Sequence, residues 1–99
     1  MPDPLAACYE KDSSMVYREI GGESILVPVR RHMADLDSIY ALDEVGSRIW
    51  ALLEPDRSLR DLCDVLLAEY DVDRATLSGD LLDFVGQLES LGAVQRVKA

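Results

Sequence analysis

The chain has 99 residues, ten basic and nineteen acidic, for a net charge of −9 and an apolar fraction of 48%. That is enough for one domain with a modest core, and the charge argues against a nucleic-acid partner, whose phosphate backbone needs clustered Lys and Arg. No apolar run approaches the roughly 18 residues that cross a bilayer, and Met1-Pro2-Asp3-Pro4-Leu5 lacks the basic-then-apolar order of a secretory signal, so the expected location is cytoplasmic with no membrane partner.

Residues 1–14 are polar, contain two prolines and show no period; they read as a flexible N-terminal segment ahead of a domain over 15–99. Val16-Tyr17-Arg18-Glu19-Ile20 is short and β-rich, Gly21-Gly22 is a hairpin turn signal, and Ser24 to Arg30 is the returning strand. Pro28 lacks a backbone donor and is expected at an edge or bulge. Arg31 to Asp37 reads as a polar loop, and Ser38-Ile39-Tyr40-Ala41-Leu42 as a third strand completing a small antiparallel sheet.

Three helices follow. Asp43 is a good N-cap with Glu44 at the positive end of the helix dipole, and Val45, Ile49, Leu52 and Leu53 repeat at helical spacing, with Trp50 flanking the stripe. Gly46 costs helix stability, which implies that some other group approaches closely there. Pro55 ends the helix. Ser58 and Asp61 form a capping-box pattern ahead of a stripe of Leu59, Leu62, Cys63, Leu66, Leu67 and Tyr70. Asp73 caps the third helix, whose core stripe is expected to be Leu77, Leu81, Phe84, Leu88 and Leu91. Leu82 and Val85 lie to one side of that stripe beside Arg74 and Ser78, which is more apolar width than one neighbour needs. Gly92 is the expected C′ glycine, and residues 93–97 form an extended piece or a helix extension. The fold class is therefore α+β and winged helix-turn-helix-like, a three-stranded antiparallel sheet followed by three α-helices.

Catalytic chemistry is not visible. His32 is the one histidine, sits beside Arg30 and Arg31 on the loop, and has no Ser or Cys partner at a telling spacing. Asp43, Asp61 and Asp73 are accounted for by capping, and Gly21-Gly22 lacks a phosphate-loop pattern. Cys8 and Cys63 show no zinc spacing and are not expected to pair in a reducing cytosol; Cys63 reads as a small core residue. The expectation is a non-enzyme without metal or other cofactor.

The order and spacing of several segments resemble the PqqD family of peptide chaperones, also described as RiPP recognition elements. Leu42-Asp43-Glu44-Val45-Gly46-Ser47-Arg48-Ile49-Trp50 is similar to the family's L-N-x-x-(G/A)-x-x-I-(W/L) segment. Ser58-Leu59-Arg60-Asp61-Leu62 resembles its second helix start, and Ala68-Glu69-Tyr70-Asp71-Val72 its linker. Asp80-Leu81-Leu82-Asp83-Phe84-Val85, with Leu88 and Leu91-Gly92, resembles its last helix. Asp43 stands where the family commonly has asparagine, and the Arg30-to-Asp37 connection is long. The likeness spans about residues 15–97.

The resemblance implies a domain without catalytic residues. It would bind the leader segment of a ribosomally made precursor peptide and present it to a modifying enzyme, often a radical-SAM maturase, in pyrroloquinoline-quinone or other RiPP biosynthesis. It places the binding element between the third strand and the third helix, here Ser38 to Leu42 and the first half of that helix. Physically, a small sheet has a free edge on which a peptide can add a strand through its backbone. Ser38, Ile39, Tyr40, Ala41 and Leu42 would form one wall and Arg74, Ser78, Leu82 and Val85 the other, with Arg74 available to an acidic leader residue. The bland alternative is that Leu82 and Val85 finish the core or make a homodimer contact. Two other functions stay open: a winged-helix DNA-binding regulator, which needs a basic recognition helix, and a structural subunit of a modifying enzyme.

Overall fold

Local capping sets the helix boundaries. In the computed structural model, which describes residues 3–28 and 40–97, helix α1 spans Glu44–Leu52, α2 Leu59–Glu69 and α3 Arg74–Ser90. The Asp43 carboxylate accepts the Gly46 N–H at 2.7 Å. Ser58 Oγ accepts from Asp61 N at 3.2 Å while Asp61 Oδ2 accepts from Ser58 N at 3.0 Å, closing the capping box. Asp73 accepts from both the backbone and the hydroxyl of Thr76. At the far end of α3, Gly92 has φ 77°, its N–H reaches Glu89 O, and Ala93 N reaches Leu88 O. This pair of bonds is a Schellman motif, which stops the helix and turns the chain outward.

The strands form two sheets. Strands β2 (Met15–Ile20), β3 (Glu23–Pro28) and β4 (Tyr40–Leu42) pair antiparallel in that order. Gly21 and Gly22 have φ 59° and 83°, the two positive values that a two-residue type I′ hairpin requires. A second sheet joins β1 (Tyr9–Lys11) to β5 (Val94–Arg96), antiparallel, with Glu10 opposite Gln95. The α+β class and the sheet-then-helices order agree with the expectation, and the winged description is compatible with them; the two-stranded sheet is additional.

The N-terminal segment differs from the flexible lead-in expected over 1–14. A 3₁₀ turn at Pro4–Ala6 precedes β1, and Ala7 and Tyr9 are buried in the common core. Leu59 N donates to Ala7 O at 3.0 Å and Val97 N to Cys8 O at 2.9 Å, so this strand is tied to α2 on one side and to the C-terminal strand on the other. Those partners are distant in sequence, which is why no local period announces them. Lys11 Nζ lies 5.2 Å from the centroid of the Trp50 ring. Trp50, expected at the rim, is only 6% exposed, while Val45, expected inside, is 37% exposed.

The core is centred on α2. Leu59, Leu62, Cys63 and Leu66 are fully buried against Leu77, Leu81, Val85 and Leu88 of α3, with Leu26 entering from β3. Each such side chain stabilises the fold by about 1.5–3 kcal/mol relative to exposure. Val85 takes the core position that the sequence pattern assigned to Phe84, and Leu91, also expected inside, is 46% exposed. The exchange follows from α3 packing on α2 along Leu77, Leu81, Val85 and Leu88, which turns Phe84 and Leu91 toward the three-stranded sheet. Pro28 ends the central strand, paired with Met15 of β2 and, among the described residues, with no partner toward β4, so that its missing N–H falls on a locally unpaired side.

Candidate functional site

The open edge of β4 follows from the hairpin register. In a two-residue hairpin the flanking pair, Ile20 and Glu23, exchanges hydrogen bonds, and bonded pairs then alternate along the strands. Residues 24 and 26 of β3 therefore aim their backbone groups at β4, where Ser24 faces Leu42 and Leu26 faces Tyr40. Ala41, between them, turns its N–H and C=O away from β3. Pro28 is next in the alternation and offers no N–H on that side. Among the described residues β4 has one neighbour, so its outer edge is free to accept a strand.

Facing this edge is one flank of α3. A groove of about 550 Å³ lies between Tyr40 and Leu82, Asp83, Gly86, Gln87, Ser90 and Leu91. Gly86 and Ser90 follow Leu82 at steps of four, so small residues keep the helix surface low where a backbone would pass. A side chain built at Gly86 would meet no heavy atom within 4 Å at its Cβ. Tyr40 spans from strand to helix: its phenol donates to Gln87 Oε1 at 2.6 Å, and its ring lies 6.4 Å from that of Phe84 at 54°. Phe84 in turn packs over Gly46, where an added Cβ would sit 3.3 Å from the ring and 3.1 Å from Asp43 Oδ1. The close approach inferred at Gly46 is this aromatic ring. The series Gly46, Phe84, Tyr40, Gln87 thus fixes the spacing of β4 from α3.

Tyr40 also borders a second cleft, of about 870 Å³, between the turn end of the sheet and the start of α1. Its walls include Tyr17, Ser24, Leu42, Ser47 and Phe84, and four carboxylates, Glu19, Glu23, Asp43 and Glu44. The Tyr17 hydroxyl is 2.9 Å from Ser24 Oγ and donates to Glu19 at 3.1 Å. The Tyr70 hydroxyl reaches Glu44 at 3.5 Å. Burial, and then the Glu44 charge, push the Tyr70 phenol above its ordinary value. Among the described residues no group of three His, Cys, Asp or Glu side chains is placed to hold a metal ion.

The sequence-based site is therefore brought together only in part. Tyr40 and Leu82 line the groove, Ala41 is exposed on the edge strand, and Leu42 is buried beneath it. Ser38 and Ile39, the Arg30–Asp37 loop and His32 lie outside the described residues, apart from any structural account. Arg74 faces α2, paired with Asp64 at 2.8 Å, and Ser78 Oγ lies 3.7 Å from Cys63 Sγ. Val85, 1% exposed, cannot face a ligand. Apart from Leu82, the expected wall thus lies on the α2 side of α3 or within its buried stripe, away from the groove beside β4. Asp83, Phe84, Gly86, Gln87, Ser90 and Leu91 are the residues missed. Gly86 and Ser90, small residues one turn apart below Leu82, were the available signal.

A strand edge held open opposite a low helical face defines a small binding domain of the three-helix, three-strand kind. The sequence model for Coenzyme PQQ synthesis protein D (PqqD) matches residues 23–94, and the chain belongs to that family. Among solved structures, the chain is similar to TbiB1 in complex with the TbiA(beta) leader peptide, with TM-score 0.73 and 31% identity over 91% of this chain and 99% of that one. No curated protein matches it.

Proposed function

We propose that this protein is a non-catalytic chaperone for the leader segment of a ribosomally synthesised precursor peptide. The leader adds a strand to the outer edge of β4, and its alternate side chains drop into the groove against α3. Backbone pairing supplies affinity with little sequence choice; the groove supplies selection. Presentation to a modifying enzyme, a radical-SAM maturase or another RiPP enzyme in the cytoplasm, completes the reading, with the pyrroloquinoline-quinone pathway as one case. The observation that carries it is the edge of β4 at Ala41, unpaired among the described residues, beside the groove that Tyr40 forms with Leu82, Gly86 and Leu91. It is supported by family membership and by a similar structure whose partner is a leader peptide.

The DNA-binding alternative has less behind it. Arg48, Arg60 and Arg74 are each paired with a carboxylate, on Glu69, Asp3 and Asp64 respectively, and among the described residues no helix presents a basic stripe. Among the described residues no helix is long and apolar enough to cross a membrane. Titration of ¹⁵N-labelled protein with leader peptides encoded near the gene tests the proposal. Shifts centred on Ala41, Leu82, Gly86 and Leu91 are expected. A folded sample whose groove signals stay still with every candidate would move the assignment to a structural subunit that docks on an enzyme.

A further inference from the structure

The second cleft has a chemical character that the groove lacks. Its carboxylates come from two elements: Glu19 and Glu23 flank the hairpin turn, while Asp43 and Glu44 open α1. Among the described residues no Lys or Arg lines it and none of the four acids has a cationic partner, in contrast to Asp3, Asp64 and Glu69. The amide of Gly46 and the hydroxyls of Tyr17 and Tyr70 occupy part of three of them; among the described residues Glu23 has no such contact. On the cleft wall Ser47 Oγ is closed off from solvent and has no hydrogen-bond partner among the described residues. The acids are spread too widely to share a metal ion, and the cleft is large enough for a long side chain. Tyr40 borders both cavities, so a chain seated along β4 passes the mouth of this cleft.

Resting on the leader-peptide reading, we propose that the recognised segment carries a lysine or arginine whose cationic end enters the cleft between the hairpin turn and the α1 start, beside its groove-filling apolar residues. Glu19 and Glu23 are its specificity determinants. Apolar burial in the groove anchors the peptide, and the carboxylates fix its register and reject acidic segments. The choice of a basic rather than acidic partner reverses what Arg74 alone would suggest, because Arg74 is already neutralised by Asp64.

The test is selection from a random-peptide display library on the immobilised full chain, with counter-selection on a Gly86→Leu chain so that only groove-dependent binders remain. Lys or Arg enriched at one fixed position from the apolar residues is the expected result, with Asp or Glu replacing them on Glu19→Lys/Glu23→Lys. Because reversal of two charges can disturb the hairpin, a Glu19→Gln/Glu23→Gln chain with an unchanged melt is measured as well. It should bind a selected lysine peptide about tenfold more weakly, with most of its salt dependence gone. Groove-dependent peptides with no basic preference would overturn this inference and leave the leader-peptide reading standing. A library yielding no groove-dependent peptide would overturn both.

Discussion

Gly86→Leu separates groove from fold. Glycine within a helix costs close to 1 kcal/mol relative to alanine, and leucine costs little. Position 86 is exposed and an added Cβ meets nothing, so the substitution should stabilise the domain by about 0.7 kcal/mol. For a chain of this size that raises Tm by roughly 4 °C. The same side chain stands on the helix surface between Leu82 and Ser90, where the peptide backbone would pass. Forcing a bound strand over it resembles overpacking, about 2 kcal/mol, or roughly a thirtyfold rise in Kd. Fluorescence anisotropy with a labelled leader peptide and a thermal melt on the same sample give both numbers. Gly86→Ala should share the gain in Tm while leaving binding nearly unchanged. A more stable Gly86→Leu protein that still binds with the original Kd would refute the assignment of this groove.

Gly46→Val should destabilise the domain by about 2 kcal/mol in urea denaturation, since its methyl groups must displace Phe84 or the Asp43 cap; a change within error would mean that Phe84 gives way freely. A chain lacking residues 1–14 loses Ala7 and Tyr9 from the core and should lose about 3 kcal/mol or more, seen as a lower urea midpoint by Trp50 fluorescence. An unchanged midpoint would show that the strand pairing adds nothing. Hydrogen bonds from the Thr76 backbone and hydroxyl hold the Asp73 carboxyl below its ordinary value. A carboxyl lowered by folding contributes stability that is full above its unfolded pKa and is lost as pH falls through the folded one. Asp73→Asn, which keeps a capping oxygen, should flatten the acid limb of a stability–pH curve while changing neutral stability little.

What the sequence revealed followed the range of the interactions involved. The caps at Asp43, Ser58 and Asp73, the stop at Gly92 and the turn at Gly21-Gly22 are contacts within a few residues, and each is written in the local order of side chains. Gly46 was legible as a close approach because glycine inside a helix needs a reason, though the partner, Phe84, lies on another helix. The flank of α3 that faces the sheet was not legible. Apolar residues occur on both sides of its buried stripe, and periodicity cannot say that the groove beside β4 runs from Leu82 across Gly86 and Ser90 to Leu91. The expectation grouped Leu82, which lines that groove, with Arg74 and Ser78, which face α2, and with Val85, which is buried. Strands β1 and β5, three residues each, carry too little pattern to announce a partner most of the chain away, and Trp50 was placed at the rim because Lys11 could not be foreseen above it.

The pairing of β1 with β5 also orders the assembly of the molecule in time. Its side-chain link, Gln95 to Glu10, spans 85 positions, and closing so long a loop costs about 4 kcal/mol of chain entropy before any contact repays it. The hairpin of β2 and β3 closes over two residues, and the capped helices form on their own turns. Loop-closure entropy therefore predicts that the two-stranded sheet closes last, as a latch, so that its contacts should slow unfolding more than they speed folding. Neither the open edge of β4 nor the α3 groove uses a residue of β1 or β5. On that order the proposed binding surface would form before the ends of the fold join, and the latch would set how long it lasts.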